Sequence, residues 1–397
     1  MKFALATVGS RGDVEPFAAV GRELQRRGHE VRVAVPPNYL GLVESAGLAG
    51  VAHGPDQVVR NADLIRKYGE TPSPISVAVE IMNDVSLLWP ALGTALKSLA
   101  DGADLLLADL SEQGLAANVA EYYDIPLAAL QFYPIAPCGT GWDITKDAED
   151  AQRRALGLPE ETGPSTRQLL AIQAYDEFFF PGLAAEWKGD ARRPFVGGLT
   201  LELPMDADEE VSSWIAAGSP PIYFGFGSTR VAFPADAFAT ISAACGELGE
   251  RALICSGTSD FTDAPQFDHV KVVSAVNHSA VFPVCRAVVH HGGPGTTFAG
   301  IRAGTPTLIL AISVDQPLWA AAVSELEVGL GRRFSHTTQQ SLVADLRSIL
   351  TPHCVTRTRE VAALMATPAE SAATAADLLE DAVRLGPSTD RQTRTAE

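Results

Sequence analysis

Positive charge is scarce in this chain: 30 Lys and Arg stand against 48 Asp and Glu, a formal net charge of −18. Nucleic-acid backbones and anionic lipid headgroups repel such a chain overall, and no Lys/Arg block offsets the deficit. A nucleotide ligand is still allowed, because local Arg, His and backbone N–H groups can hold a phosphate. Cysteine is scarce as well. Cys138, Cys245, Cys255, Cys285 and Cys354 are widely scattered, and no Cys-x-x-Cys occurs. An odd, dispersed set argues against a disulfide framework or a zinc site and fits a reducing cytosol. No stretch approaches the roughly 20 apolar residues of a membrane span. The opening MKFALATV has too short an apolar run for a signal peptide, and Arg11 and Asp13 follow at once. Two phosphate fingerprints are also missing. Neither half starts with Gly-x-Gly-x-x-Gly, and there is no Gly-Lys-Ser/Thr.

What is present reads as two domains, since 397 residues exceed one typical core. In the first half, strands are expected at 2–8, 30–36, 103–110 and 126–134, with helices at 16–28, about 39–46, about 77–99 and 112–123. Regularity fails between about 135 and 195. A second alternation follows, with strands at 220–228, 251–257, 270–276, 287–292 and 306–312. Its helices are expected at 234–247, 296–303, about 317–327, 338–350, 354–366 and 368–385. Continuous apolar strands separated by helices imply parallel sheets covered on both faces. The expected division is a domain 1–195, a Pro- and Gly-punctuated linker 196–204, a domain 205–367, a helix 368–385 that could return to the first domain, and a polar tail 386–397. Ligands of such sheets bind beyond the carboxyl ends of the strands.

The strongest local signal is AVVHHGGPGTTFAGIRAGTP at 287–306. A strand ends in His290-His291, three glycines make the turn, and Thr296 and Thr297 open a helix. Glycines let backbone approach a ligand, and free N–H groups at a helix start attract anions. A histidine there can add a hydrogen bond or positive charge. The plainer alternative is an N-capped turn with strand-end histidines. At 315–317, Asp-Gln-Pro resembles a helix start with Asp315 as cap, but Asp315 and Gln316 could equally grip vicinal sugar hydroxyls. FGFGS at 224–228 ends a strand and places Ser228 where a diphosphate could be contacted. In the first half, LATVGSRGDVEP puts Ser10, Arg11 and Asp13 just beyond the first strand. Asp13 can be read as a helix cap or as a partner of Arg11, and Arg11 as a surface charge.

Together, GSRGDVEP, HHGGPGTT, RAGTP and Asp315-Gln316-Pro317-x-Trp319 resemble the GT-B glycosyltransferases of family 1, closest to the bacterial branch acting on glycopeptide, polyketide and lipopeptide natural products. AAVGRELQRRGH, ANVAEYYDIPLAAL, FFPGLAAEW and PPIYFGFGS are similar to mycobacterial members associated with glycopeptidolipid assembly. The resemblance spans nearly the whole chain. It implies an α/β fold of two Rossmann-like parallel-sheet domains facing a central cleft, with the acceptor bound by the first and a nucleotide sugar by the second. It implies no metal and no cofactor beyond the sugar nucleotide.

Carried over position by position, His291, Gly293, Gly295 and Thr296 hold the diphosphate with Ser228 beside them. Asp315 and Gln316 hold the sugar, the Val276 region presents backbone to the base, Ser10 and Arg11 reach the phosphates, and Asp13 is the general base. Plant relatives pair a first-loop His with an Asp after a later strand. No His precedes His29 here, so Asp109 becomes a second candidate for base or orienter. Pro294 replaces the more usual Ala, and 135–160 is short for a segment that shapes the acceptor pocket.

The expected activity is inverting transfer of a deoxyhexose such as rhamnose or 6-deoxytalose, or of glucose, from a dTDP- or UDP-sugar to a hydrophobic natural-product or lipopeptide acceptor. The expected location is the cytoplasm, with membrane contact at most peripheral. A sugar-nucleotide epimerase of the same architecture and a bilobed solute-binding protein are the alternatives. The aromatic run Phe178–Phe180 argues against the first, and the phosphate-type turn against the second.

Overall fold

The computed structural model describes residues 1–57, 59, 88–134, 143–160, 170–205, 207–228, 234–259, 261, 265–312 and 315–387. The chain divides into two compact units. One holds Met1–Glu177, Gly182–Leu201 and the chain from Thr367 onward; the other holds Phe178–Pro181 and Glu202–Ala366. The punctuated segment 196–204 is thus split at Leu201, and the closing helix Pro368–Leu385 belongs with the first unit.

The first unit is built on β1 (Lys2–Ala6), β2 (Glu30–Val35), β3 (Ala49–Ala52), β4 (Leu105–Asp109), β5 (Leu127–Gln131) and β6 (Leu170–Gln173). They form one parallel sheet in the order β3-β2-β1-β4-β5-β6. Every residue of β4 and all but Lys2 of β1 are buried, as expected of central strands with helices on both faces. The order reverses between β1 and β4, so the chain leaves these two neighbours toward opposite sides and opens a crevice at their carboxyl ends.

The second unit repeats the design with β7 (Ile222–Gly225), β8 (Ala252–Cys255), β9 (Val270–Val273), β10 (Ala287–His290), β11 (Thr307–Ala311) and β12 (Gly329–Arg333). Its parallel order is β12-β11-β10-β7-β8-β9, and the reversal falls between β7 and β10.

Three strands escaped the sequence reading: β3 (AGVA), β6 (LAIQ) and β12 (GLGRR). All are short edge strands with few β-branched residues. In β12 the glycines are steric necessities, because a Cβ on Gly331 would lie 2.8 Å from Ala320 Cα. The helix Asp208–Ala216 was also unanticipated. The expected helix 77–99 is present as Trp89–Ala100 where described, and its earlier part lies outside the described residues.

The first helix begins earlier than expected. It runs Arg11–Arg26 with Pro16 inside it rather than at its start. Ser10 and Asp13 form a capping box that nucleates the helix a turn before the proline. Val14, Phe17, Ala18, Gly21 and Leu24 then fall on its buried face.

At the far end of that helix, Arg27 donates to Glu23 (2.8 Å), Asp377 (2.5 Å), Glu380 (3.1 Å) and the Ala373 carbonyl (3.0 Å). His29 Nε2 lies 3.0 Å from Glu380 Oε1. These bonds clasp the helix Pro368–Leu385 to the first unit. Cys245, Cys255, Cys285 and Cys354 are free and buried, and Cys138 lies outside the described residues. Among the described residues no helix is long and apolar enough to cross a membrane, and no group of His, Cys, Asp and Glu is placed to hold a metal ion.

Candidate active site

The loop after β1 is shaped by its own side chains. Gly9 has φ +142°, and a Cβ there would lie 2.6 Å from Asp13 Cγ, so only glycine lets the carboxylate fold back. Asp13 Oδ2 accepts the Ser10 N–H at 2.5 Å, and Ser10 Oγ accepts the Gly12 N–H at 3.2 Å. The N-cap is therefore Ser10 rather than Asp13, which closes the capping box from the third helical position with its carboxylate half-buried. Arg11 Nε donates to Glu15 Oε2 at 3.1 Å, and Glu15 Oε1 accepts the Leu201 N–H at 2.9 Å. Arg11 is thus engaged in an i,i+4 pair while its side chain stays 40% exposed. Ser10, Arg11 and Asp13 are brought together in one turn.

Asp109 lies beneath this loop, at the end of β4. It is 3% exposed and accepts four hydrogen bonds. The donors are Thr7 Oγ1 (2.8 Å), Val8 N–H (2.8 Å), Ser111 N–H (2.9 Å) and Ser111 Oγ (2.6 Å). Burial, reinforced by the Glu112 charge, pushes its carboxyl up to about 6, against the pull of the Ser111, Val8 and Thr7 donors. Oδ2 takes the Thr7 and Val8 donors at the base of the loop, and Oδ1 takes both Ser111 donors. Next to it, His53 at the exit of β3 places Nε2 2.9 Å from both oxygens of Glu112, and both side chains are buried. The sequence reading passed over this pair. The signal was available: His53-Gly54 repeats the strand-end His-Gly step that marked the other half.

In the second unit β10 delivers His290 and His291 to the turn. Gly292 takes φ +100°, and its N–H donates to His290 Nδ1 at 3.0 Å, which fixes the proton of the neutral ring on Nε2. Gly293 caps the helix Pro294–Arg302 with extended backbone. Pro294 fills the first helical position, where no N–H is needed, and Thr297 returns its N–H and hydroxyl to Gly293 O, each at 3.0 Å. The Gly295 and Thr296 N–H groups belong to the first turn, which lacks intrahelical acceptors, and a Cβ on Gly295 would meet nothing within 4 Å.

The His291 ring packs over Gly227 and Gly293. A Cβ would lie 2.8 Å from His291 Cε1 at the former and 2.7 Å from Nε2 at the latter. His291 Nδ1 is buried and carries no hydrogen bond. Burial lowers the His291 ring to about 4, opposed by a backbone hydrogen bond at Gly225, and drives His290 well below its ordinary value. Burial thus favours the neutral form of both rings in this structure.

Gln316 packs its Cβ against Gly292, and its Oε1 accepts the Ile312 N–H at 2.7 Å. Asp315 stands at the cap position of the helix Gln316–Glu325 with helical backbone, and its carboxylate makes no capping bond. Ser228 is half-buried, and its carbonyl accepts from Thr258 Oγ1 at 3.2 Å. His291, Gly293, Gly295, Thr296 and Gln316 therefore share one turn region, with Gly227 and its neighbour Ser228 beside the His291 ring. Val276 stands apart from that turn, its side chain buried with Val211, Tyr223 and Phe282.

Residues 253–385 match the family described as the C-terminal domain of erythromycin biosynthesis protein CIII-like proteins. Residues 3–61 match the N-terminal domain of glycosyltransferase family 28. An uncharacterized glycosyltransferase of Mycobacterium tuberculosis (strain ATCC 25618 / H37Rv) is 55% identical over 97% of this chain and 99% of its own length. Glycosyltransferase GtfE of Amycolatopsis orientalis is 31% identical over 96% and 98%. Among solved structures, the calicheamicin glycosyltransferase CalG4 superposes with a TM-score of 0.71 at 18% identity, covering 100% of this chain and 99% of that one. The spinosyn rhamnosyltransferase SpnG complexed with thymidine diphosphate gives 0.68 at 18% identity, covering 94% and 100%. Two switch-point sheets, a glycine turn feeding a helix start, and relatives matched along almost their whole length lead to one conclusion: the chain belongs to the GT-B glycosyltransferases, in the branch that includes GtfE.

Proposed function

We propose that this glycosyltransferase moves a sugar from a dTDP- or UDP-sugar to a hydroxyl of a hydrophobic natural-product or lipopeptide acceptor, with inversion and without a metal. The observation that carries the reading is the His291 turn, where the imidazole turns its Nε2 edge to Gly293, the cap of the open N-terminus of the helix Pro294–Arg302. Such a helix end favours an anion, and thymidine diphosphate is what SpnG holds in its complex.

In the proposed reaction the acceptor hydroxyl attacks the anomeric carbon as the bond to the diphosphate breaks. Asp13 takes the hydroxyl proton, and one displacement inverts the centre. Negative charge growing on the diphosphate meets the Gly295 and Thr296 N–H groups and His291. Ser10 and Arg11 are assigned to the same anion, for which Arg11 would exchange Glu15 for phosphate. Asp315, free of capping duty, is assigned to the sugar hydroxyls with Gln316, and the Val276 segment to the nucleobase. A deoxyhexose such as rhamnose or 6-deoxytalose is the favoured sugar, glucose the other, and a glycopeptidolipid-like molecule the favoured acceptor. The work is assigned to the cytoplasm.

Thermal unfolding with dTDP or UDP in the presence of EDTA tests the reading. At a hundredfold excess over Kd a nucleotide adds about 2.7 kcal/mol, so a rise of several degrees is expected, and His291→Ala should abolish most of it. No rise with either nucleotide would sink the proposal. A sugar-nucleotide panel with mass detection of the product then identifies the donor.

A further inference from the structure

Behind the first loop lies a set of buried titratable groups that the proposed reaction does not use. His53 and Glu112 are 2% and 1% exposed, and Asp109 is 3% exposed. The sheet order is β3-β2-β1-β4, so His53 leaves an outer strand and Glu112 follows β4, with the exit of β1 between them. Their hydrogen bond therefore spans the place where Thr7 and Val8 leave the sheet.

The base of the loop is held from both sides. From β4, Asp109 binds the Thr7 hydroxyl and the Val8 N–H. From β3, Gly54 lies against Val8, where a Cβ would be 2.9 Å from Val8 Cγ1; Gly54 has φ +71° and directly follows His53. The short turn Leu110–Glu112 joins the two holds. Asp109 caps it through Ser111, and Glu112 at its other end is fixed by the fork to His53 Nε2. His53 itself is anchored by its own N–H, which donates to Val35 O at 2.8 Å. His53 Nδ1 is buried with no hydrogen bond, a cost that burial of the ring for packing alone does not explain.

We propose that Glu112 and His53 are positioning residues: by locking the turn after β4 they hold Asp109 against Thr7 and Val8, and so fix the loop that carries Ser10, Arg11 and Asp13. The effect on transfer rests on the function proposed above; the effect on loop order does not. Glu112→Asp and His53→Asn shorten the two partners so that the fork cannot form. His53→Gln can still reach Glu112 and serves as the restoring variant.

Hydrogen exchange read by mass spectrometry needs no substrate. In the two shortened variants, amides of 5–16 should exchange about tenfold faster while those of 287–311 in the other unit stay at the wild-type rate. Turnover should fall about 10- to 100-fold with the donor KM within about twofold, since the loop is misplaced and not the donor turn. His53→Gln should recover most of both. Unchanged exchange in 5–16, an equal rise in both segments, or a His53→Gln protein as impaired as His53→Asn would each overturn the proposal. A wild-type protein that transfers no sugar from any donor would refute the proposed reaction and leave the exchange result to decide this inference alone.

Discussion

In the proposed reaction the Asp13 carboxylate has a chemical task beside its structural one. Its bond to the Ser10 N–H starts the first helix, and the same loop tip is where an acceptor hydroxyl would lose its proton. Asp13→Asn keeps an oxygen for the cap but cannot take a proton. Single-turnover product formation should fall by roughly 10²–10⁴-fold, while the melting temperature moves little. Asp13→Ala also loses the carboxylate half of the capping box, at about 1 kcal/mol. An Asn variant with full turnover would move the base elsewhere. At this scale the sequence showed where the turn is but not which job Asp13 does, because Ser10-x-x-Asp13 is itself a helix-start pattern. The His53–Glu112 pair was harder to see: its partners stand 59 residues apart, and pairing at that range is set by strand order.

Among the elements, one tight constraint sits where β7 and β8 end. Gly257 has φ +55°, and a Cβ on it would overlap the Gly227 carbonyl oxygen. The Gly257 N–H reaches Ser274 O at 3.2 Å, tying the exits of β8 and β9. Gly257→Ala therefore meets both a left-handed backbone and a steric clash. A loss of about 2–4 kcal/mol in urea unfolding of the second unit is expected, with weaker nucleotide binding. A loss below about 0.5 kcal/mol would show that the two exits can part freely.

Another element-scale feature is the aromatic set Phe179, Phe298 and Trp319, whose ring centroids lie 5.1–5.6 Å apart. Phe298 is on the helix after the His291 turn and Trp319 on the helix after Asp315, so Phe179 staples the two helices assigned to the donor. Runs of apolar residues made the central strands legible. The edge strands were not, since β12 uses glycine for clearance, and glycine weakens the pattern that identifies a strand.

For the whole molecule, the sequence reading found two sheets and a late helix. The insertion of Phe178–Pro181 into the second unit left no trace in composition, because an aromatic run looks alike in either core. The clasp around Arg27 carries a pH prediction. The His29 hydrogen bond, and then Arg27, hold Glu380 down to about 2 against the opposing effect of burial. Glu23 is held to about 2 chiefly by Arg26, again against burial, with Arg27 adding to it. Carboxyls lowered in the folded state contribute stability above their unfolded value near 4.5, and that contribution is lost as pH falls toward 2. Arg27→Ala should therefore lower the melting temperature by about 2–4 °C at pH 7, and by less near pH 3. A gap that stays constant with pH would mean that the clasp works through packing rather than charge.

The clasp also sets a schedule. Arg27 and Asp377 are 350 residues apart, so the first unit made is among the last to be finished. At about 5–20 residues per second a ribosome needs roughly 20–70 seconds to cover that distance. Throughout that interval the Arg27 end of the first helix waits with its partners unmade, and the whole of the second unit, which runs to Ala366, is synthesised within it.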